Sequence, residues 1–197
     1  MKLKEVIVDA DFCIKVGVSS KYRYLEKVLP SLANKVYIHK IAYDEVMIPA
    51  CAKEQLDSLK NLGILIIVDE RTLSSSDVLV YQSIYNSLAS VMINPNQPRK
   101  NLGEVCSLAM AKTKSIPYFV TDEKNLQPII DKLLNNGIED IICIRIEDVI
   151  RKIMYKVLEG FSRKDAKAIW RMSGKDTDIF DNNIWPSGTQ DNTVKPF

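Results

Sequence analysis

The feature of this sequence that most limits its fold is a recurrence: four short, nearly unbroken apolar runs, each ending near an acid or a turn. They are Val6-Ile7-Val8, Ile64-Leu65-Ile66-Ile67-Val68, Tyr118-Phe119-Val120 and Ile141-Ile142-Cys143-Ile144. A strand that is apolar at every position, and not at every second one, is covered on both faces, which is the condition of a parallel sheet. Between the runs lie segments with helical spacing, including 49–62 and 102–114. That alternation predicts βαβ crossovers around a central parallel sheet, and hence the α/β class. Residues 22–30 and 39–46 read as two further helices between the first run and the second. This is more helix than a minimal βαβ unit needs, and the pair is expected to cover an edge of the sheet.

After Ile144 the pattern changes to helical residues at 147–158 and again at 162–172, the second stretch carrying Arg163, Lys164, Lys167 and Arg171. The final stretch, 173–197, is rich in Ser, Gly, Asp, Asn and Pro and is expected to be flexible in isolation. A length of 197 residues suits one well-buried α/β domain with an appendage. The expected division is a domain at 1–147, a helical extension at 148–172 and a tail at 173–197.

A net charge of +2 is too small to argue for nucleic acid by itself, so any basic footprint must be local. The basic stretch at 162–172 is by default a solvated face. Its use in gripping RNA through Arg163, Lys164 and Lys167 is the alternative. Cys13, Cys51, Cys106 and Cys143 are widely spaced with no C-x-x-C pair, so they read as reduced core thiols in a cytoplasmic protein. The first residues, MKLKEVIVDAD, carry charges where a signal peptide is apolar, and no window approaches 18 apolar residues. Neither secretion nor a membrane span is expected.

Asp9 follows the first apolar run directly, and in open α/β sheets the ligand crevice lies outside the carboxyl ends of the strands. Asp9 or Asp11 could equally cap the next helix, and taken alone that reading suffices. Glu104 sits in NLGEVCSLAMAK, where Asn101 and Glu104 together approach a capping box. Asp122 ends the run in YFVTDEKNL and has the same capping alternative. Glu45 has Asp44 beside it in IAYDEVMIP, and since helix neighbours do not share a face, at most one of the two points inward.

Joint placement tips the balance. Asp9 and Asp122 end strands of one sheet, and Glu104 opens the helix that leads to the strand of Asp122. Carboxylates that close repel and raise one another's pKa values unless something neutralises them, and a divalent cation is the simplest neutraliser. Oxygen-only ligands suit Mg²⁺ or Mn²⁺, whereas a chain with one histidine and no clustered cysteines is poorly equipped for zinc. The lone His39 cannot supply a two-imidazole acid-base mechanism and is expected to be structural.

The order Asp, Glu, Glu, Asp in VIVDADFC, YDEV, LGEVCSLAMAK and FVTDEKNL resembles the PIN-domain nucleases over about residues 4–147. The resemblance implies a PIN-like fold in which Asp9, Glu45, Glu104 and Asp122 hold one or two Mg²⁺ or Mn²⁺ ions and cleave single-stranded RNA. Thr121 looks like the family's small hydroxyl residue before its last acid. Asp11 stands where the family commonly has Asn or Ser, and Glu123 follows Asp122, so both are auxiliary ligand candidates. The resemblance also implies RNA as substrate, and as partners an antitoxin or other protein, or a second copy in a homodimer.

Two alternatives use other chemistry. Asp9-Ala10-Asp11 at a strand end also resembles the nucleophile and acid pair of haloacid-dehalogenase-like phosphatases, although Phe12 replaces the usual threonine or valine. A non-catalytic PIN-like module would instead hold RNA or a protein through the basic helix and the tail aromatics.

Overall fold

The computed structural model describes residues 2–186. Five strands, β1 (Leu3–Val8), β2 (Ala33–His39), β3 (Leu65–Val68), β4 (Tyr118–Val120) and β5 (Ile142–Ile144), form one all-parallel sheet in the order β3-β2-β1-β4-β5. Four of them are the apolar runs. The fifth, β2, lies between the two helices expected at 22–30 and 39–46, where no strand is expected, and it is internal to the sheet, paired with β1 from Leu3↔Ala33 to Val8↔Ile38. Its first residues include the exposed Asn34 and Lys35, so only Val36-Tyr37-Ile38 has strand character. That is too short a signal to separate it from the helices on either side.

The helices are α1 (Ala10–Gly17), α2 (Tyr24–Leu32), α3 (Lys40–Glu45), α4 (Ala50–Asn61), α5 (Ser75–Met92), α6 (Leu102–Thr113), α7 (Leu126–Leu133), α8 (Ile146–Met154) and α9 (Arg163–Met172). The long α5 has no counterpart among the expected segments. It buries only Tyr81 and Leu88, so it lacks the broad apolar stripe by which a helix shows in sequence. Side chains alternate across the sheet as the pleat requires. Val6 and Val8 enter a core with α1, α2, α4, α8 and α9, while Ile7 and Phe119 enter a second core with α5, α6 and α7. Helices therefore cover both faces.

The expectation of flexibility from residue 173 onward does not hold for the part that is described. A helical turn at Thr177–Ile179 continues into Phe180–Ile184, and Phe180 and Ile184 are buried in the first core. The ring of Phe180 lies 6.2 Å from that of Trp170 and 6.3 Å from that of Trp185. Polar composition concealed the segment because a few well-placed aromatics are enough to dock it. The rest of the expected tail, 187–197, lies outside the described residues. No helix among the described residues is long and apolar enough to cross a membrane.

Candidate functional site

The strand order creates a switch point between β1 and β4. From β1 the sheet grows outward through β2 to β3, and β4 and β5 then build on the opposite side. Connections that part in opposite directions leave a crevice at the carboxyl ends of two such strands. Val8 is in register with Val120, so Asp9 and Asp122 leave neighbouring strands at that crevice. Main-chain bonds fix both exits: the Asp9 amide donates to the Val120 carbonyl at 2.9 Å and the Thr121 amide to the Ile144 carbonyl at 3.0 Å.

Asp9 is 1% exposed, and its Oδ1 has no hydrogen-bond partner among the described residues. Burial, and secondarily the charge of Glu104, push its carboxyl up to about 8. The amides of Ala10 and Asp11 face it and offset part of the rise, yet the side chain makes no cap hydrogen bond to α1. Capping therefore does not account for this residue. Nor does it account for Glu104, because Asn101 adopts a left-handed conformation (φ 63°) and makes no side-chain cap bond. Its amide nitrogen donates instead to the Met92 carbonyl at 3.0 Å. Asp122 is likewise no cap, since α7 begins after Asn125.

Glu104 is where the acids converge electrostatically. Burial raises its pKa first, and the charges of Asp11 and Glu123 raise it further. Glu104 in turn raises Glu45, for which desolvation is again the larger cause and the Gly103 amide the opposing one. The exposed Glu45, at the end of α3, comes so close to α6 that a Cβ on Gly103 would lie 2.5 Å from its Oε2. Asp44 points elsewhere and pairs with Lys40 on the same helix. Glu104 and Glu123 line an open cleft of about 250 Å³ together with the apolar Met92, Leu126 and Ile129.

Asp122 is neutralised in another way. Its side chain is 3% exposed, and its Oδ2 accepts from the ammonium groups of Lys15, at 3.0 Å, and of Lys175. Lys15 also pairs with Asp11 at 2.7 Å, which links Asp122 to the acids around Glu104. Buried Thr121 uses its Oγ1 to accept from the Glu123 amide at 3.2 Å, shaping the turn that carries both acids. His39 is buried and caps α3 by accepting from the Ile41 amide at 3.2 Å, and its ring stacks on Tyr81. Desolvation lowers its pKa, as suits a neutral structural imidazole.

The switch point thus gathers Asp9, Asp11, Glu45, Glu104, Asp122, Thr121 and Glu123. It does not gather the basic residues of α9. Arg163 donates to Asp181 at 2.6 Å and to the Trp185 carbonyl at 2.9 Å, and Lys167 pairs with the same Asp181. Both cations hold the C-terminal segment against α9, and of the three residues read as an RNA grip, Arg163, Lys164 and Lys167, only Lys164 is exposed without a described ion pair. Lys15 and Lys175 are not among the residues expected at this site from sequence. An Asp11/Lys15 pair at i,i+4 on α1 was a readable signal. Lys175 gave none, because it is separated from Asp122 by 53 residues.

Among the described residues, no three carboxylate, imidazole or thiolate side chains are drawn into a ligand shell. The donors present nevertheless fit a hard cation. All are oxygens, and one buried oxygen, Asp9 Oδ1, is unpartnered. Burial first, and the like charges of neighbouring carboxylates second, raise the pKa values of Asp9, Glu104 and Glu45, and a bound cation would offset both. Set against known protein families, curated proteins and solved structures, the chain has no significant match in any of the three.

Proposed function

We propose that this chain is a Mg²⁺- or Mn²⁺-dependent endoribonuclease of PIN type, cleaving single-stranded RNA at the β1/β4 switch point. The observation that carries the reading is Asp9, a buried carboxylate with an unpartnered oxygen beside Glu104, at the place where α/β sheets bind ligands. Asp9, Glu45, Glu104 and Asp122 would hold the cation, with Asp11 and Glu123 as auxiliaries. Bound there, the metal supplies a water of lowered pKa and positive charge for the phosphate and the leaving oxygen. The neighbouring cleft combines Glu104 and Glu123 with the apolar side chains of Met92, Leu126 and Ile129. Such a surface suits the flat apolar face of an unpaired base next to a metal-bound phosphate.

The phosphatase alternative is weaker. It requires Asp11 free as acid, whereas Lys15 pairs with Asp11 at 2.7 Å.

The test is cleavage of an end-labelled single-stranded RNA in Mn²⁺, Mg²⁺ or EDTA, with Asp9→Asn purified in parallel. Losing the metal-positioning carboxylate is expected to lower the rate by about a hundredfold or more, each ~1.4 kcal/mol of lost transition-state stabilisation being a factor of ten. Equal cleavage by both proteins, or none by folded wild type on several RNAs, would remove the nuclease reading. In the latter case retained RNA binding would favour the non-catalytic module, and Asp9-dependent hydrolysis of para-nitrophenyl phosphate would favour the phosphatase.

A further inference from the structure

Two ammonium groups converge on one oxygen of Asp122, and together they carry the charge of a single divalent cation. Lys15 belongs to α1 and keeps a second ion pair with Asp11, so it can swing off Asp122 and remain neutralised. Lys175 is placed differently. It follows Gly174, whose left-handed backbone (φ 77°) ends the α9 turn, and it reaches Asp122 from the C-terminal extension with a side chain 19% exposed. Its ion pair is with Asp122, and its Nζ lies 5.7 Å from the centroid of the Trp170 ring. An oxygen that accepts two ammonium groups has little capacity left for a metal, and a metal at Oδ2 would meet Lys175 as a like charge.

We propose that Lys175 is a built-in competitor for the divalent cation: its ammonium pairs with Asp122 and must leave before that oxygen can ligate. The C-terminal extension thereby becomes a cover whose hold on the site is exchanged for the ion. This rests on the metal-site reading given above and concerns the regulation of that same site. Exchange of this kind is reciprocal, so removing the competitor tightens the metal by the factor with which the metal loosens the competitor.

The experiment is a Mn²⁺ titration of the full chain, following free Mn²⁺ by electron paramagnetic resonance, on wild type, Lys175→Met, Lys175→Gln and Lys175→Arg. The Met and Gln variants are expected to bind Mn²⁺ about tenfold more tightly than wild type, and Arg, which keeps the charge, about equally. Either neutral variant suffices if the other fails to fold. Tryptophan fluorescence gives an independent readout, because both tryptophans of the chain, Trp170 and Trp185, lie on the extension. Mn²⁺ should change the emission of wild type and leave that of the neutral variants nearly unaltered. Binding by the neutral variants equal to or weaker than wild type overturns the proposal while leaving the metal site standing. Absence of Mn²⁺ binding in every variant overturns both.

Discussion

The buried carboxyl of Asp9 costs stability once it ionises, and the pH dependence of the chain in EDTA should reveal it. With its carboxyl raised from 3.8 to about 8, the folded state keeps a proton that the unfolded state releases. The associated stability is therefore complete below pH 3.8 and is lost as pH rises through about 8. In EDTA at pH 8.5 Asp9→Asn, which removes the buried charge, should be more stable than wild type by roughly 2–4 kcal/mol, and its melting temperature should fall less between pH 5 and 8.5, the remainder coming from Glu104 and Glu45. Saturating Mn²⁺ should stabilise wild type and not the variant. A wild-type melting curve in EDTA that is flat over this range would show that Asp9 is not held protonated. Gly103 makes a complementary case. An alanine there would push on Glu45 at 2.5 Å, and the far end of a flexible glutamate is able to give way. Gly103→Ala should therefore leave stability within about 1 kcal/mol of wild type, since alanine favours the helix, while activity falls at least tenfold. Equal activity would mean that Glu45 does not need its place against α6.

At the scale of elements, the C-terminal segment carries more structure than its composition suggests. Phe180 is fully buried between Trp170 and Trp185, with the Arg163 guanidinium 5.3 Å from its ring centroid. Phe180→Ala should cost about 3–4 kcal/mol, with denaturant unfolding followed by tryptophan emission as the measure. A loss below ~1 kcal/mol would mean that the segment rests only loosely on α9. Arg163 and Lys167 belong to this element through Asp181, which explains why a helix that reads as a nucleic-acid grip has two of its four cations already engaged. The charges on α9 were legible, but their partner was not, because Asp181 lies 18 residues beyond Arg163 in a stretch without helical periodicity.

At the scale of the whole molecule, the sequence by itself determined the class and the addresses of the acids. Unbroken apolar runs can be satisfied only by strands covered on both faces, and four of them alternating with helical segments leave a parallel α/β sheet as the economical arrangement. Asp9 and Asp122 at the ends of two such runs are therefore placed on one rim by the sequence alone. Local pattern could not show β2, whose strand character is confined to three residues between helices, nor α5, which buries too little to leave a stripe. Only the tertiary structure decided that β1 and β4 are neighbours, and so that their acids flank the switch point. It also decided that Glu104 and Asp9 share a desolvated space, and that Asp122 is held by Lys15 and by Lys175 from the far end of the chain. The reason is physical. Hydrophobic periodicity is a property of consecutive residues, whereas strand order, desolvation and ion pairing are set by groups that meet only after the chain has packed.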